Sequence, residues 1–274
     1  MKHQIDPTVD CVFKAILGNE KHKNLLIHFL NAVLEPPDKE RISEVLIIDP
    51  YNEREFETDK LSIVDVKAKD GAGNNYQIEI QALVHAGLPA RILYTWSTIY
   101  HSLIGRGESY SLLKPVISIW LLKNSLFEET DDFHLPFAAW NVKNGITLSR
   151  HFAVHLLQLP KWKLSGAGCT EKDRWLYFFR EGGNLDADSP PEILDTEEMR
   201  YAMAVIKDFS ENQKNYLRYQ SRLEAEFERN TLYAELEKAR KEKEENRKEK
   251  EAALKEAERL LLLLKKAGID PGQS

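Results

Sequence analysis

The chain has 274 residues, 42% of them hydrophobic and 30% charged, with 13 Gly and 11 Pro. That excludes collagen-like, mucin-like and wholly disordered classes and fits one large domain or one domain with an appendage. A net charge of −6 excludes a generally basic nucleic-acid coat and leaves only a local basic groove.

Residues 8–18 and 21–34 carry apolar positions at helical spacing, Val12 and Ile16, then Leu25, Leu26, Phe29, Leu30 and Val33. EPPD breaks the chain. VLIIDPYN is a short apolar run ended by Pro50, suited to a strand. KLSIVDVKAKD alternates, the Gly-rich DGAGNN is a hairpin connection, and NYQIEIQAL alternates again. A helix follows over ARILYTWSTIYHSLIGRG, and PVISIWLL reads as a buried strand. Helix, three strands, helix, strand is an α/β order with the middle strands paired. Residues 133–159 hold two alternating segments around Asn144-Gly145, a hairpin signal. Residues 165–190, rich in Gly, Asp and Pro, read as loops, and 192–215 as one or two helices. Trp96, Trp120, Trp140, Trp162 and Trp175 read as packing residues, not base-stacking platforms.

From residue 222 to 259 the composition changes: eleven Lys plus Arg, twelve Glu, and no Gly or Pro. A long charged helix is expected, stopped by Gly268 and Pro271. A 3–4 spacing from Leu232 through Leu236 to Leu260 and Leu264 is apolar at both ends and polar at Lys243, Asn246 and Lys250. Either it pairs two copies as a homodimer, antiparallel by preference, or it stands alone. Two cysteines, Cys11 and Cys169, cannot build a disulfide framework or an all-cysteine zinc site. No stretch approaches the ~18 apolar residues that span a bilayer, and MKHQIDPTVD has no signal-like apolar core. A soluble cytoplasmic protein without membrane contact is expected.

The polar face of the central hairpin is where chemistry can sit. Asp65 follows Ser-Ile-Val, and Glu79 lies between Ile78 and Ile80. Carboxylates are depleted in strands and costly to bury unpaired. If the register pairs the strands, both point to one face, where a hard divalent cation would relieve their repulsion. The carbonyl of Ile80 would complete its cage. The competing reading is a wet outer face of an amphipathic hairpin. His151 and His155 have HxxxH spacing, but in a strand they lie apart, which argues against zinc.

Asp10-Cys11-Val12-Phe13-Lys14, LLIHFLNAVLE, DKLSIVDVKAKDGAGNNYQIEIQ, Arg91 to Tyr94, and the Gly107 to Ile119 run together resemble the Rpn family of recombination-promoting nucleases, PD-(D/E)XK nuclease family transposases. The resemblance covers residues 6–160 well and the charged tail loosely. It implies an α/β, restriction-endonuclease-like core, a mixed central sheet flanked by helices, with an added β-hairpin region and the long charged C-terminal helix. The expected division is 1–125 for the nuclease-like core, 126–215 for the hairpin and helical extension, and 216–274 for the tail. It also implies a Mg²⁺-dependent (or Mn²⁺-dependent) DNA endonuclease of recombination or mobile elements, with DNA as partner. The motif's acidic pair falls on Asp65 and Glu79. Its lysine falls on Gln81, which hydrogen-bonds a water but carries no charge. Lys67, on the Asp65 face, and Lys14, on the first helix, compete to supply that charge. Asp10 is either a further site acid or a helix-start residue. Arg91 either meets a phosphate oxygen, with Lys14 and Lys67 as further DNA contacts, or makes a surface ion pair. The second functional class is a weak or inactive nuclease-like module that binds DNA or assembles through its helix.

Overall fold

The computed structural model describes residues 3–48, 65–164, 168–186 and 188–266. The Pro50 end of the first expected strand, the expected start of the second at 61–64 and the Gly268–Pro271 stop lie outside them. Met1–Leu223 and Glu224–Ser274 are two compact units.

The first unit is a six-stranded mixed sheet with helices on both faces. Helices α1 (Asp10–Leu17) and α2 (Lys23–Leu34) precede strands β1 (Val45–Ile48), β2 (Val66–Asp70) and β3 (Asn75–Gln81). Helix α3 (Leu88–Ser102), β4 (Val116–Leu122), β5 (His134–Trp140) and β6 (Thr147–Gln158) follow, then α4 (Glu171–Glu181) and α5 (Glu197–Glu211). The strand order is β1-β2-β3-β4-β6-β5. Strands β1, β2 and β3 are antiparallel neighbours, while β3, β4 and β6 run parallel. This is the α/β restriction-endonuclease-like layout expected, a mixed sheet flanked by helices.

Alternation divides the sheet between two cores. Ile78, Ile119, Leu121 and Leu157 face α1, α2, α4 and α5, where Phe13, Phe29, Trp175 and Phe179 are buried. Trp120, Leu122, Val154 and Leu156 face the other way, under Leu88 and Ile92 of α3. Strand β3 is thus covered on both sides, and six of its seven residues are buried. The β2–β3 turn is closed by Asp70, whose Oδ1 accepts the backbone N–H groups of Ala72 and Asn74. Gly73 there has φ +89°, a conformation that side chains resist.

Two expectations fail. The region expected as loops, 165–190, contains α4. Its signal is a capping box: the Thr170 hydroxyl accepts the Asp173 N–H while the Asp173 carboxylate accepts the Thr170 N–H. The Gly and Asp flanking this short helix dominate the composition, but Trp175, Phe178 and Phe179 give it a fully buried face. The second is Trp140, which is 65% exposed, whereas Trp120, Trp162 and Trp175 are buried.

Helix α6 runs from Gln213 to Lys266, 54 residues, and is about 80 Å long at 1.5 Å per residue. In its distal part, Arg247 pairs with Glu244 and Glu251, and Arg240 with Glu237.

Trp175 joins α4 to α2. Its ring stacks on Phe179 at 5.7 Å and meets Phe29 edge-on at 5.5 Å, and its Nε1 donates to His28 Nδ1 at 2.9 Å. Trp175→Ala is expected to cost about 3–5 kcal/mol, read as a lower guanidinium midpoint of unfolding.

Candidate active site

Four elements meet where β3 ends and β2 begins. The ladder pairs Val66 with Ile78 and Lys67 with Gln77, and carried one step further it sets Asp65 opposite Glu79. Asp65 lies just outside β2, and its Oδ2 accepts the Ile80 N–H at 3.0 Å, the bond a strand carbonyl would otherwise make. A strand residue's N–H and C=O point to the same side, so the Ile80 carbonyl is directed toward Asp65.

Glu79 is 2% exposed. Burial, then the charge of Asp65, push its pKa up to about 8, against the pull of Arg91 and a hydrogen bond from Gln77. Asp65 is also raised, first by burial, with the Ile80 N–H and Lys14 opposing. A buried polar chain orients Glu79: Trp120 Nε1 donates to Ser118 Oγ (2.8 Å), Ser118 Oγ to Gln77 Oε1 (3.0 Å), and Gln77 Nε2 to Glu79 Oε1 (3.4 Å).

Two cations approach from opposite faces. Lys14 of α1 places Nζ 3.4 Å from Asp65 Oδ1. Arg91 of α3 places Nη2 3.9 Å from Glu79 Oε2 and sits over the Trp120 ring at 5.5 Å. Arg91 Nη1 also donates to Gln81 Oε1 at 3.0 Å, while Gln81 Nε2 donates to the Leu83 carbonyl at 2.7 Å. Both ends of the Gln81 amide are therefore engaged by protein. Lys67 lies in the ladder opposite Gln77 and Ile48. Asp10 opens α1 and contributes to raising Asp65. Its Oδ2 pairs with Arg222 at 3.6 Å, and its Oδ1 is buried without a hydrogen-bond partner.

Arg222, on the first part of α6, is the neighbour that sequence alone does not signal. His151 and His155 go to different partners, the Tyr100 hydroxyl and the His134 ring. Among the described residues, no three His, Cys, Asp or Glu side chains cluster as a metal cage. The donor set is instead the Asp65 and Glu79 carboxylates with a backbone carbonyl beside them, and Asp10 stands outside it. All are hard oxygen donors, the chemistry that suits Mg²⁺ or Mn²⁺.

A family model described as PD-(D/E)XK nuclease family transposase matches residues 7–235. The chain belongs to that family. The match takes in every residue named for the site and the first part of α6. No curated protein and no solved structure matches the chain. Among the described residues of this family member, no helix is long and apolar enough to cross a membrane.

A raised carboxylate pKa stabilises the fold fully below the unfolded value and loses that contribution as pH climbs through the folded one. For Glu79 the window runs from 4.5 to about 8. Without metal, Glu79→Gln is expected to melt above the wild type at pH 8.5, with the gap closing toward pH 4.5. A constant difference in melting temperature across that range would contradict the burial argument.

Proposed function

We propose that this chain is a divalent-metal-dependent DNA endonuclease that hydrolyses phosphodiester bonds in recombination or element mobility. The observation that carries this reading is the carboxylate pair at one end of the sheet, Glu79 buried in β3 and Asp65 tied to the next residue of that strand through the Ile80 N–H. Family membership supplies the nuclease class.

In this proposal Asp65, Glu79 and the Ile80 carbonyl hold Mg²⁺ or Mn²⁺, and Asp10 supports the site through the Asp65 side. A cation held there would supply an acidified water and neutralise charge on the scissile phosphate and leaving oxygen. Lys14, at 3.4 Å from Asp65, is the cation that orients that water. Gln81 acts through Arg91: its Oε1 holds one guanidinium nitrogen, so that the rest faces Glu79 and the phosphate. Lys67 is left as a backbone contact to DNA. The charge missing at position 81 is thereby supplied from two helices.

Nicking of supercoiled DNA tests this. Cleavage is expected with Mg²⁺ or Mn²⁺ and none with chelator. Asp65→Ala and Glu79→Ala should abolish it while keeping the fold as stable or more so, since each removes a repelling carboxylate. Arg91→Ala should cost about 10²-fold, and Gln81→Ala should also impair cleavage. Full metal-dependent cleavage by Asp65→Ala would remove the proposed site.

The same reading includes a homodimer through α6. Leu260, Leu261, Leu262 and Leu263 are all exposed, as are Leu232 and Leu236. Such leucines on a solvated helix favour a partner strand. Light scattering should give twice the chain mass for the full protein and a monomer for a chain ending at Arg222. A monomeric full-length protein at micromolar concentration would leave α6 as a solvated spacer.

A further inference from the structure

Between Phe133 and Thr170 the chain has no Asp or Glu, although it carries 44 elsewhere, while Lys143, Arg150, Lys161 and Lys163 lie in that stretch. The β5–β6 hairpin occupies most of it. Near its tip Trp140 is 65% exposed, Val142 94%, Ile146 64% and Leu148 85%. Lys143 and Arg150 beside them are exposed too. The hairpin is well formed: Asn141 Oδ1 accepts the N–H groups of Lys143 and Asn144, and Gly145 takes φ +67°.

The arm is anchored to the helix that carries Arg91. Phe152 meets Trp96 of α3 edge-on at 4.8 Å, and the Tyr100 hydroxyl bonds His151 at 3.0 Å. Beyond that anchor the register jumps. Ala138 pairs with Ala153, but Ala139 pairs with Ser149, so Arg150, His151 and Phe152 bulge from the ladder. A bulge bends a hairpin and re-aims what lies beyond it.

The ladder also locates the tip. His134 lies level with Leu157, Leu121 and Ile80 across the sheet. Trp140 is six residues further along β5, which is about 20 Å along the strand and about 14 Å across three strand spacings, or about 25 Å in all.

An apolar tip flanked by cations, in a stretch without carboxylates, is complementary to a polyanion that also offers apolar surface. DNA is that ligand: phosphates take lysine and arginine, and bases accept apolar or aromatic side chains. A second copy docking by the same hairpin would bring together two cationic tips with no carboxylate between Phe133 and Thr170 to offset them, since a two-fold contact uses the same patch on both copies. We propose that the β5–β6 tip is a second DNA-binding element. Lys143 and Arg150 contact phosphates there, and Trp140 and Leu148 contact bases, about 25 Å from the catalytic carboxylates, or roughly seven base pairs along a duplex. It rests on the reading of this chain as a DNA nuclease.

The test uses the full chain with a fluorescent 30-base-pair duplex in chelator, where binding is read without cleavage. Lys143→Gln with Arg150→Gln should lower affinity about tenfold and flatten the salt dependence by about two contacts. These exposed side chains can be changed with the melting temperature kept. Acrylamide quenching lost on Trp140→Ala should identify the exposed tryptophan, and duplex should shield it in the wild type. If the wild type binds and nicks DNA but the double variant binds equally well, with Trp140 unshielded, the proposal is overturned and the nuclease reading stands. If the variants leave DNA affinity unchanged and instead lower the mass in light scattering, the tip is a contact between copies and the proposal is again overturned. If the wild type neither binds nor nicks DNA, the nuclease reading fails, and this proposal with it.

Discussion

A carboxylate buried on an interior strand of the sheet is the constraint on which the rest of this structure depends. Glu79 is in a strand flanked by neighbours on both edges and covered on both faces. An isolated ionised group there would be untenable, and ordinarily it would neutralise. Its surroundings do two opposite things. Burial and Asp65 raise its pKa, while Arg91, Gln77 and Lys14 lower it. The result is a group held close to the point where a bound divalent charge would decide its protonation. Buried carboxylates that only stabilise a fold are usually paired outright. Glu79 is paired loosely, at 3.9 Å, and lies beside a second carboxylate. That combination is typical of sites that bind or react.

The polar chain from Trp120 through Ser118 and Gln77 explains how Glu79 keeps one rotamer. All three supporting side chains are fully buried, and each has its partner. Gln77 lies opposite Ser118 and Glu79 opposite Trp120 in the parallel β3–β4 pair. The register that forms the sheet therefore also builds the support for the site. The two cations arrive differently. Lys14 comes from a helix on one face and Arg91 from a helix on the other, so each depends on a separate hydrophobic core.

That difference explains how far the sequence can be read. The order of helices and strands up to β4 follows from periodicity and turn residues, and the Asp65–Glu79 pairing follows from alternation about the Gly-rich turn. These are local properties. The approach of Lys14 to Asp65 is not local, because the packing of α1 against the sheet is decided by Phe13, Ile16 and Leu17 in the first core. Arg222 beside Asp10 depends on the path of α6 and has no sequence signal. Helix α4 has a signal, Thr170 to Asp173 before Trp175, but it is set within Gly- and Asp-rich flanks. Trp140 reads as packing by residue type alone; only the bulge after Ala138 shows that it lies beyond the covered part of the sheet.

Gln81, at the position where the family resemblance expects a lysine, is held by the same geometry. A lysine there would bring a charge on its own flexible stem. Gln81 brings none, but its two amide ends tie the Leu83 carbonyl to the Arg91 guanidinium. The Leu83 bond sets the segment that leads into α3, and the Arg91 bond sets the first turn of that helix. The guanidinium is further fixed by its position over Trp120. A planar cation held by a hydrogen bond and an aromatic face has fewer orientations to lose on meeting a phosphate than a free ammonium does. In the proposed site the charge comes from α3, the helix that also anchors the β5–β6 hairpin, and not from the strand.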